Sequence, residues 1–245
     1  MEAFGRLLDV LDELRVKCPW DRKQTNESLR PNTIEETYEL CDALMKGDDH
    51  EVMKELGDVL LHVAFYAKIG EEKEQFDMAD VCNALTDKLI FRHPHIYGTQ
   101  KADTEEQVLD NWEQIKQREK DGNKTVLAGV PRALPSLIKA YRIQDKASHV
   151  GFDWERREDV WQKVREEMGE LEAELERGDK QASEQELGDL LFAVINAARL
   201  YKLNADNALE MTNQKFIRRF NYIEQRSREL QKPMTEMTLD EMEAL

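Results

Sequence analysis

Glycine, proline and aromatic residues are all scarce in this chain of 245 residues, which contains 11 Gly, 6 Pro and 7% aromatic residues. No stretch alternates apolar and polar residues with the period of two that a half-buried β-strand requires, whereas apolar residues recur at spacings of three and four. The sequence therefore predicts an all-α fold. Hydrophobic residues make up 40% of the chain, which is enough to form a core.

Basic residues are outnumbered, since 35 Lys and Arg residues face 51 Asp and Glu residues and leave a formal net charge of −16. A surface that binds nucleic acid needs clustered basic residues, so we expect no nucleic-acid polymer as a partner. A small basic cluster beside a metal ion could still hold the phosphates of a nucleotide.

The chain also lacks a signal peptide and an apolar run of about eighteen residues, which predicts a cytoplasmic protein without membrane association. Its cysteines, Cys18, Cys41 and Cys82, have no metal-site spacing and are odd in number. We therefore expect reduced thiols, with Cys41 packed in the core from one face of its helix.

Acidic residues are abundant, and four of them form a regular pattern in the second half of the chain. Glu167 and Glu170 lie three residues apart, as do Glu186 and Asp189, so each pair shares one face of a helix. Gly178 lies eight residues from each pair and is followed by an aspartate, a sequence typical of one helix ending and the next beginning. The two pairs are expected to face each other across a helical hairpin, roughly 12 Å from its turn at about 1.5 Å per residue.

The same pattern occurs in the first half of the chain. Its acidic residues are Glu36, Glu39, Glu55 and Asp58, and Gly47 lies midway between the two pairs. Each of these residues precedes its counterpart by 131 positions, and both copies carry Leu-Gly within the second acidic pair. We interpret the repeat as an internal duplication, which predicts two similar halves.

We interpret each set of four carboxylates as a metal site, because carboxylates at one level of a hairpin repel one another unless a cation lies between them. A site built from Glu and Asp without Cys or His favours a hard cation, Mg²⁺ or Mn²⁺. The helices that carry Asp58 and Asp189 are apolar nearly all round, which predicts that they are buried and that their acids need partners.

Two alternatives to this metal site exist. Runs of charge in an acidic chain are often solvated helix faces, although the duplication and the apolar surroundings count against that interpretation here. A di-iron carboxylate bundle would use Glu-x-x-His motifs, and neither hairpin has one.

Prolines and glycines cluster between residues 121 and 135, a composition typical of a joint between domains. The predicted organisation is an N-terminal helical domain at 1–120, a linker at 121–135 and a C-terminal helical domain at 136–245.

The start of the first hairpin is predicted from its turn residues. Pro31 and its neighbours predict a loop up to Asn32. Thr33 then lies where an N-cap is expected, and Glu36, three residues later, would complete a capping box.

Each half carries a Lys-x-x-x-Arg motif on its third predicted helix. The pairs are Lys88 with Arg92 and Lys215 with Arg219, and at this spacing both cations project from one face. Either pair alone could be an ordinary exposed pair. Recurrence on the equivalent helix favours phosphate binding, in which Arg makes bidentate contacts and Lys acts as a point charge.

A helix predicted at 104–119 brings Trp112 and Lys116 to one face. These residues could stack on a base and contact a phosphate, or they could be a core tryptophan and a surface lysine. The matching segment of the second half starts at Thr238, and we expect its equivalent tryptophan at the first position after Leu245.

His62 lies four residues after Asp58 on the same predicted helix face, and its counterpart in the second half is Ala193. Because the histidine is not repeated, we do not assign it a role in a shared mechanism. We expect a buried histidine whose hydrogen bonds are satisfied.

Three further segments have the character of family motifs, namely Cys18–Thr25, Phe91–Gly98 and Lys215–Phe220. Together with the repeated Glu-Glu-x-x-Glu and Glu-x-x-Asp, they resemble the MazG family of nucleoside triphosphate pyrophosphohydrolases along nearly the whole chain. The resemblance implies tandem helical-bundle domains of the all-α NTP pyrophosphatase type. It also implies a homodimer in which acidic hairpins pack against those of the partner.

The family reaction implied by this resemblance splits ribo- and deoxynucleoside triphosphates into a monophosphate and pyrophosphate, as house-cleaning or regulation of nucleotide pools. Mg²⁺ would be held against the triphosphate by the second-half acids. A glutamate that is not saturated by metal, Glu166 in our assignment, would activate water, and Lys215 and Arg219 would neutralise the leaving pyrophosphate. Lys163 matches a nucleotide-contacting position, and its first-half counterpart is Asn32. The metal ligands implied for the two halves are Glu167, Glu170, Glu186, Asp189, Glu36, Glu39, Glu55 and Asp58.

The resemblance places the activity in the second half, and the first half keeps every acidic and basic position and could be active too. A non-catalytic helical scaffold or regulatory protein with a structural metal site remains an alternative. So does a pyrophosphatase that acts on damaged nucleotides or an alarmone, because the sequence identifies no set of residues that reads a base.

Overall fold

The computed structural model describes residues 2–99 and 125–245, together with residues 104, 107, 108 and 115. Helices are the regular elements of these ranges, and no strand occurs in them, which confirms the all-α prediction. The chain divides into two compact units, 1–103 and 104–245, called unit 1 and unit 2 below. The more detailed boundaries at 121–135 stay a prediction.

Unit 1 is built around the first acidic hairpin. Gly47 adopts the left-handed conformation that ends the first helix of the hairpin, and the Asp48 side chain accepts from backbone N–H groups at the start of the second. The helices of unit 1 are α1 (Glu2–Lys17), α2 (Asn26–Lys46), α3 (Asp49–Glu72), α4 (Met78–Arg92) and the short α5 (Pro94–Tyr97), with a 3₁₀ turn at Asp21–Lys23.

Unit 2 repeats this order around the second hairpin. Gly178 is again left-handed, and the Asp179 side chain again caps the following helix, as the sequence predicted. Its helices are α6 (Ser136–Ser148), α7 (Val160–Arg177), α8 (Lys180–Leu200), α9 (Ala205–Glu229) and α10 (Leu239–Glu243), with 3₁₀ turns at Arg157–Asp159 and Met234–Glu236.

The predicted start of α2 is wrong. Thr25 caps the helix in a reciprocal capping box with Ser28, so the helix begins at Asn26 and Thr33 lies inside it. Pro31 also lies inside the helix, where its missing N–H leaves one helical hydrogen bond unmade. The Thr33 hydroxyl instead donates to the Leu29 carbonyl across one helical turn.

The core of unit 1 lies between α1 and the hairpin. Leu11, Leu29, Ala64, Phe65 and Ile69 form a buried cluster that joins the first three helices. Burial of such side chains stabilises the fold by roughly 1.5–3 kcal/mol each.

The expected burial of α3 and α8 holds for one face only. Leu56, Leu60 and Val63 on α3 are exposed. Cys41 on α2 is exposed as well and does not pack in the core. The apolar pattern of α3 therefore includes a face that is exposed on its own unit. None of the described helices combines the length and hydrophobicity that a membrane span requires.

Candidate metal centre and adjoining cavity

The hairpin of α7 and α8 gathers carboxylates in unit 2. Oxygen atoms of Glu167, Glu186 and Asp189 lie within 4.8 Å of one another, with Glu167 buried and Asp189 exposed. Glu170 lies outside this group, but desolvation and a hydrogen bond with Glu167 raise the pKa of Glu170. The structure thus brings three of the four predicted ligands together and keeps the fourth in contact with them.

The hairpin of α2 and α3 does the same in unit 1. Oxygen atoms of Glu36, Glu39 and Glu55 lie within 4.8 Å of one another. Desolvation, followed by the charge of Asp58, raises the pKa of Glu36, although Asp58 is outside the group. Glu55 is 3% exposed, and its Oε2 atom is buried without a hydrogen-bond partner.

These two groups fit a divalent cation. The donors are all carboxylate oxygens, which are the ligands that Mg²⁺, Mn²⁺ and Ca²⁺ take in proteins. A buried carboxylate oxygen without a partner, as in Glu55, is costly unless a cation or donor completes it. Acids this close also repel each other in the absence of a cation. Desolvation is the main cause of the raised pKa values of Glu36 and Glu170, and the charges of neighbouring carboxylates add to it.

One lysine reaches into each group. In unit 2, the Nζ atom of Lys163 lies 2.7 Å from Oε1 of Glu166 and 2.7 Å from Oε1 of Glu167, and these hydrogen bonds raise the pKa of Lys163. In unit 1, the Nζ atom of Lys54 lies 2.7 Å from Oε1 of Glu55. Lys163 was assigned by resemblance, whereas sequence reasoning missed Lys54, which directly precedes an assigned ligand.

The predicted phosphate-binding pairs take no part in these lysine–glutamate contacts. Lys215 and Arg219 are exposed on α9, a helix that packs on α6 and α8, and Lys88 is exposed on α4. Among the described residues, no carboxylate forms an ion pair with these three side chains. Arg92 is partly buried at the end of α4. Trp112 and Lys116 lie outside the described residues.

His62 is the buried histidine that the sequence predicted. Its Nδ1 atom is 3.0 Å from the Thr33 hydroxyl, which also lies 2.6 Å from the Tyr66 hydroxyl. Burial lowers the pKa of His62, and the charge of Asp58 opposes this shift. The equivalent of His62 in unit 2 is Ala193, which lines a cavity.

This cavity in unit 2 has a volume of about 860 Å³ and adjoins the carboxylate group. Lys163, Glu167 and Asp189 lie in its wall. Other parts of the wall are aromatic, from Phe152 and Trp154 in the loop after α6. A pocket of this size with an apolar wall and a few polar groups is typical of small-molecule sites. The sequence analysis did not predict the cavity.

The polar groups of the cavity are largely fixed by hydrogen bonds. Arg199 donates to both carboxylate oxygens of Asp153, at 3.0 and 2.5 Å, and to the side chain of Asn196. Burial would raise the pKa of Asp153, but the Arg199 hydrogen bonds and a backbone N–H outweigh it and lower that pKa. The amide of the buried Gln144 donates to the Phe192 carbonyl at 2.8 Å, which joins α6 to α8.

Fold and site together define an all-helical protein with duplicated hairpins that gather carboxylates for a divalent cation. Comparison with known families agrees with this class. The family model for the MazG nucleotide pyrophosphohydrolase domain matches residues 24–97 and 156–223. The chain therefore belongs to the MazG family of nucleotide pyrophosphohydrolases, a family of hydrolases.

Individual relatives support the same assignment. A protein named nucleoside triphosphate pyrophosphohydrolase from Escherichia coli strain K12 is 40% identical over 99% of this chain and 95% of its own length. A Thermotoga maritima protein named nucleoside triphosphate pyrophosphohydrolase/pyrophosphatase MazG is 42% identical over 91% of this chain and 86% of its own length. The uncharacterized protein YabN of Bacillus subtilis is 44% identical over 99% of this chain, which spans 50% of that protein.

Proposed function

We propose that this protein hydrolyses ribo- and deoxynucleoside triphosphates to nucleoside monophosphate and pyrophosphate, with Mg²⁺ as its cofactor and Mn²⁺ as a possible substitute. The observation that carries the proposal is the cavity of about 860 Å³ whose wall contains Glu167 and Asp189. Such a cavity offers space for a nucleoside directly beside carboxylates that suit a metal–triphosphate complex. The names of the relatives from E. coli and T. maritima support the same reaction.

The second unit is proposed to hold the cation through Glu167, Glu170, Glu186 and Asp189. When bound, Mg²⁺ would neutralise and orient the phosphates of the substrate. Glu166 is exposed, lies outside the carboxylate group and is proposed as the general base. It would take a proton from the water whose oxygen bonds to the α-phosphorus as the bond to the pyrophosphate breaks.

Lys215 and Arg219 are proposed to neutralise the charge that builds on the leaving pyrophosphate. Both are exposed, and neither is held by a carboxylate in the described part of the chain, so both are available to a phosphate group. Lys163 is proposed as a further phosphate contact, because it already lines the cavity beside the carboxylate group.

Unit 1 is proposed as a second cation and nucleotide site. Its ligands would be the first-half acids, and Lys88 and Arg92 would take the place of the α9 pair. Trp112 and Lys116 are part of this proposal as base and phosphate contacts. The buried, unpartnered Oε2 atom of Glu55 supports cation binding there.

We further propose a homodimer. Leu56, Leu60 and Val63 are exposed on α3, and the residues 131 positions later, Leu187, Leu191 and Val194, are exposed on α8. An apolar stripe that recurs at equivalent positions of two units is costly in water unless another chain covers it. The proposed setting is the cytoplasm, with house-cleaning or regulation of nucleotide pools as the role.

The test is turnover of a panel of nucleoside triphosphates with Mg²⁺, in which pyrophosphate and orthophosphate are assayed separately. Glu186→Gln and Glu55→Gln are matched variants, because they change the equivalent carboxylate in each unit. We expect pyrophosphate from the unchanged chain and its loss in Glu186→Gln.

Other outcomes have distinct meanings. Loss of pyrophosphate release only in Glu55→Gln would place the active site in unit 1. Orthophosphate as the sole product would contradict cleavage of the bond between the α-phosphorus and the pyrophosphate. Turnover restricted to an oxidised nucleotide or an alarmone would change the substrate and keep the mechanism. No turnover with any of these substrates would favour a scaffold.

A further inference from the structure

Each acidic hairpin places one lysine on its most buried carboxylate. In unit 2 this is Lys163 on Glu167, and in unit 1 it is Lys54 on Glu55, with Nζ–Oε1 distances of 2.7 Å in both. The glutamate of each pair is buried, since its side chain is 9% exposed in Glu167 and 4% exposed in Glu55. These contacts therefore differ from the surface ion pairs that abound elsewhere on the chain.

The two lysines do not descend from one ancestral position. The residue 131 positions before Lys163 is Asn32, and the residue 131 positions after Lys54 is Gln185. Lys163 lies on the first helix of its hairpin, whereas Lys54 lies on the second. The duplicated units have thus reached the same ammonium–carboxylate contact from different helices, which points to a shared requirement and not to shared descent.

That requirement follows from electrostatics. Three carboxylates whose oxygens lie within 4.8 Å of one another repel strongly when no cation is bound, and most strongly around the member with the least solvent. A lysine supplies one positive charge at that member. Both lysine side chains are partly solvated, at 39% and 55% exposed, so each can leave its acid by rotating into water.

We propose that Lys163 and Lys54 act as counter-cations of the carboxylate groups whenever no divalent cation is bound, and that each must leave its buried glutamate before a divalent cation binds there. The inference rests on the proposed function only in requiring that a cation binds these groups. The counter-cation role has a consequence for cation affinity that a role of these lysines in phosphate binding alone would not have. The lysines lower the affinity for the cation when no nucleotide is present, and Lys163 becomes available to the triphosphate once the cation has displaced it.

The test measures Mn²⁺ binding to the full chain by titration calorimetry without nucleotide. Lys163→Met is measured in a Glu55→Gln background, which leaves the unit 2 site intact, and Lys54→Met is measured in a Glu186→Gln background. Each lysine variant should bind Mn²⁺ about tenfold more tightly than its background, because a competing and repelling charge has been removed. Each should also melt at a lower temperature than its background in EDTA.

Arg165→Met is the matched control, since Arg165 is an exposed cation on the same helix as Lys163. It should change the Mn²⁺ affinity by less than about twofold. Lys163→Gln gives a second neutral variant if the methionine variant fails to fold.

Three results would contradict the counter-cation role or the metal site on which it depends. Mn²⁺ affinity that is unchanged or weakened in both neutral Lys163 variants would refute the counter-cation role and leave the metal site standing. An equal gain in Mn²⁺ affinity in Arg165→Met would show that the gain follows from the lower net positive charge and not from the contact of Lys163 with Glu167. Absence of Mn²⁺ binding both in the unchanged chain and in the lysine variants would refute the proposed metal site itself.

Discussion

Asn196 of unit 2 occupies the helix position that Phe65 occupies in unit 1, 131 residues earlier, and the two side chains have opposite roles. The Phe65 ring is 3% exposed and packs with Leu11 and Leu29 in the core of unit 1. Asn196 lies in the wall of the cavity, where it accepts hydrogen bonds from Arg199. The residue at this one helix position therefore fills the core in unit 1 and lines a cavity in unit 2.

Asn196→Phe should close the cavity without touching the carboxylates. A phenyl ring would occupy the space proposed for the nucleoside, so KM for nucleoside triphosphates should rise roughly tenfold or more. Mn²⁺ affinity measured without nucleotide should stay unchanged. Asn196→Ala removes the same hydrogen bonds without adding volume, and it should raise KM far less. Equal effects of the two substitutions would show that the hydrogen bonds matter and the volume does not.

The hairpin turns should be sensitive to a single methyl group. Gly47 and Gly178 have φ values of +68° and +71°, and a Cβ atom at either would meet no atom within 4 Å. Alanine there should lower the free energy of unfolding of its own unit by about 1 kcal/mol through backbone strain alone. Gly5→Ala is the control, because Gly5 is helical and equally unobstructed, and it should stabilise slightly. Urea unfolding curves measure all three, and a neutral Gly178→Ala would contradict the strain argument.

The hairpins were predictable because their signals are local. A left-handed glycine followed by a capping aspartate fixes each turn, and the eight-residue spacing then brings the acids to one level without reference to the rest of the chain. The repeat provided a second, independent copy of the same evidence. The apolar spacing of the second half likewise predicts helices at about 136–148, 157–176, 183–201 and 206–229, and the bounds of α6 to α9 agree with these to within about three residues.

The start of α2 was predicted wrongly, because Thr33 and Glu36 have the spacing of a capping box although Thr25 caps the helix. Thr25 prevails through its reciprocal bonds with Ser28, whereas Thr33 packs its hydroxyl against His62 on another helix. The cavity also depends on distant elements, since Phe152 and Asn196 meet only once the loop after α6 packs on α8. The exposed stripe of α8 was read as buried because an apolar pattern does not tell which chain covers it.

Acid should weaken the ion pair between Arg15 and Glu72 in unit 1. Arg15, whose side chain is 8% exposed, donates to both oxygens of Glu72, and these hydrogen bonds lower the pKa of Glu72 from its ordinary 4.5. A lowered carboxyl pKa contributes stability that is fully present above the unfolded value. That stability is lost as the pH falls from about 4.5 through the folded pKa of Glu72.

Glu72→Gln should therefore be less stable than the unchanged chain at neutral pH and lose less stability on acidification. Unfolding in urea at pH 7 and at pH 4 measures both effects. Glu74→Gln, which removes a neighbouring charge that forms no ion pair within the described residues, should leave the pH dependence unchanged. If Glu72→Gln kept the full acid sensitivity, another carboxylate would have to carry it.

The repeated apolar stripes should control the oligomeric state. Leu60→Lys and Leu191→Lys each place a charge at the centre of one stripe, where desolvation in an interface would be costly. Both side chains are exposed in a single chain, at 38% and 48%, so neither change should disturb the fold of its own unit. The unchanged chain should have about twice the 28.7 kDa mass of the monomer in light scattering after size exclusion, and the double variant should have the monomer mass.

The single variants assign the contact. If only Leu191→Lys lowers the mass, the α8 stripe forms the dimer and the α3 stripe needs another partner, whereas partial dissociation in each variant would mean that both stripes contribute. Val16→Lys is the control, because Val16 is 74% exposed on α1 and belongs to neither stripe. A mass of 28.7 kDa for the unchanged chain would contradict the homodimer and leave both stripes without an occupant.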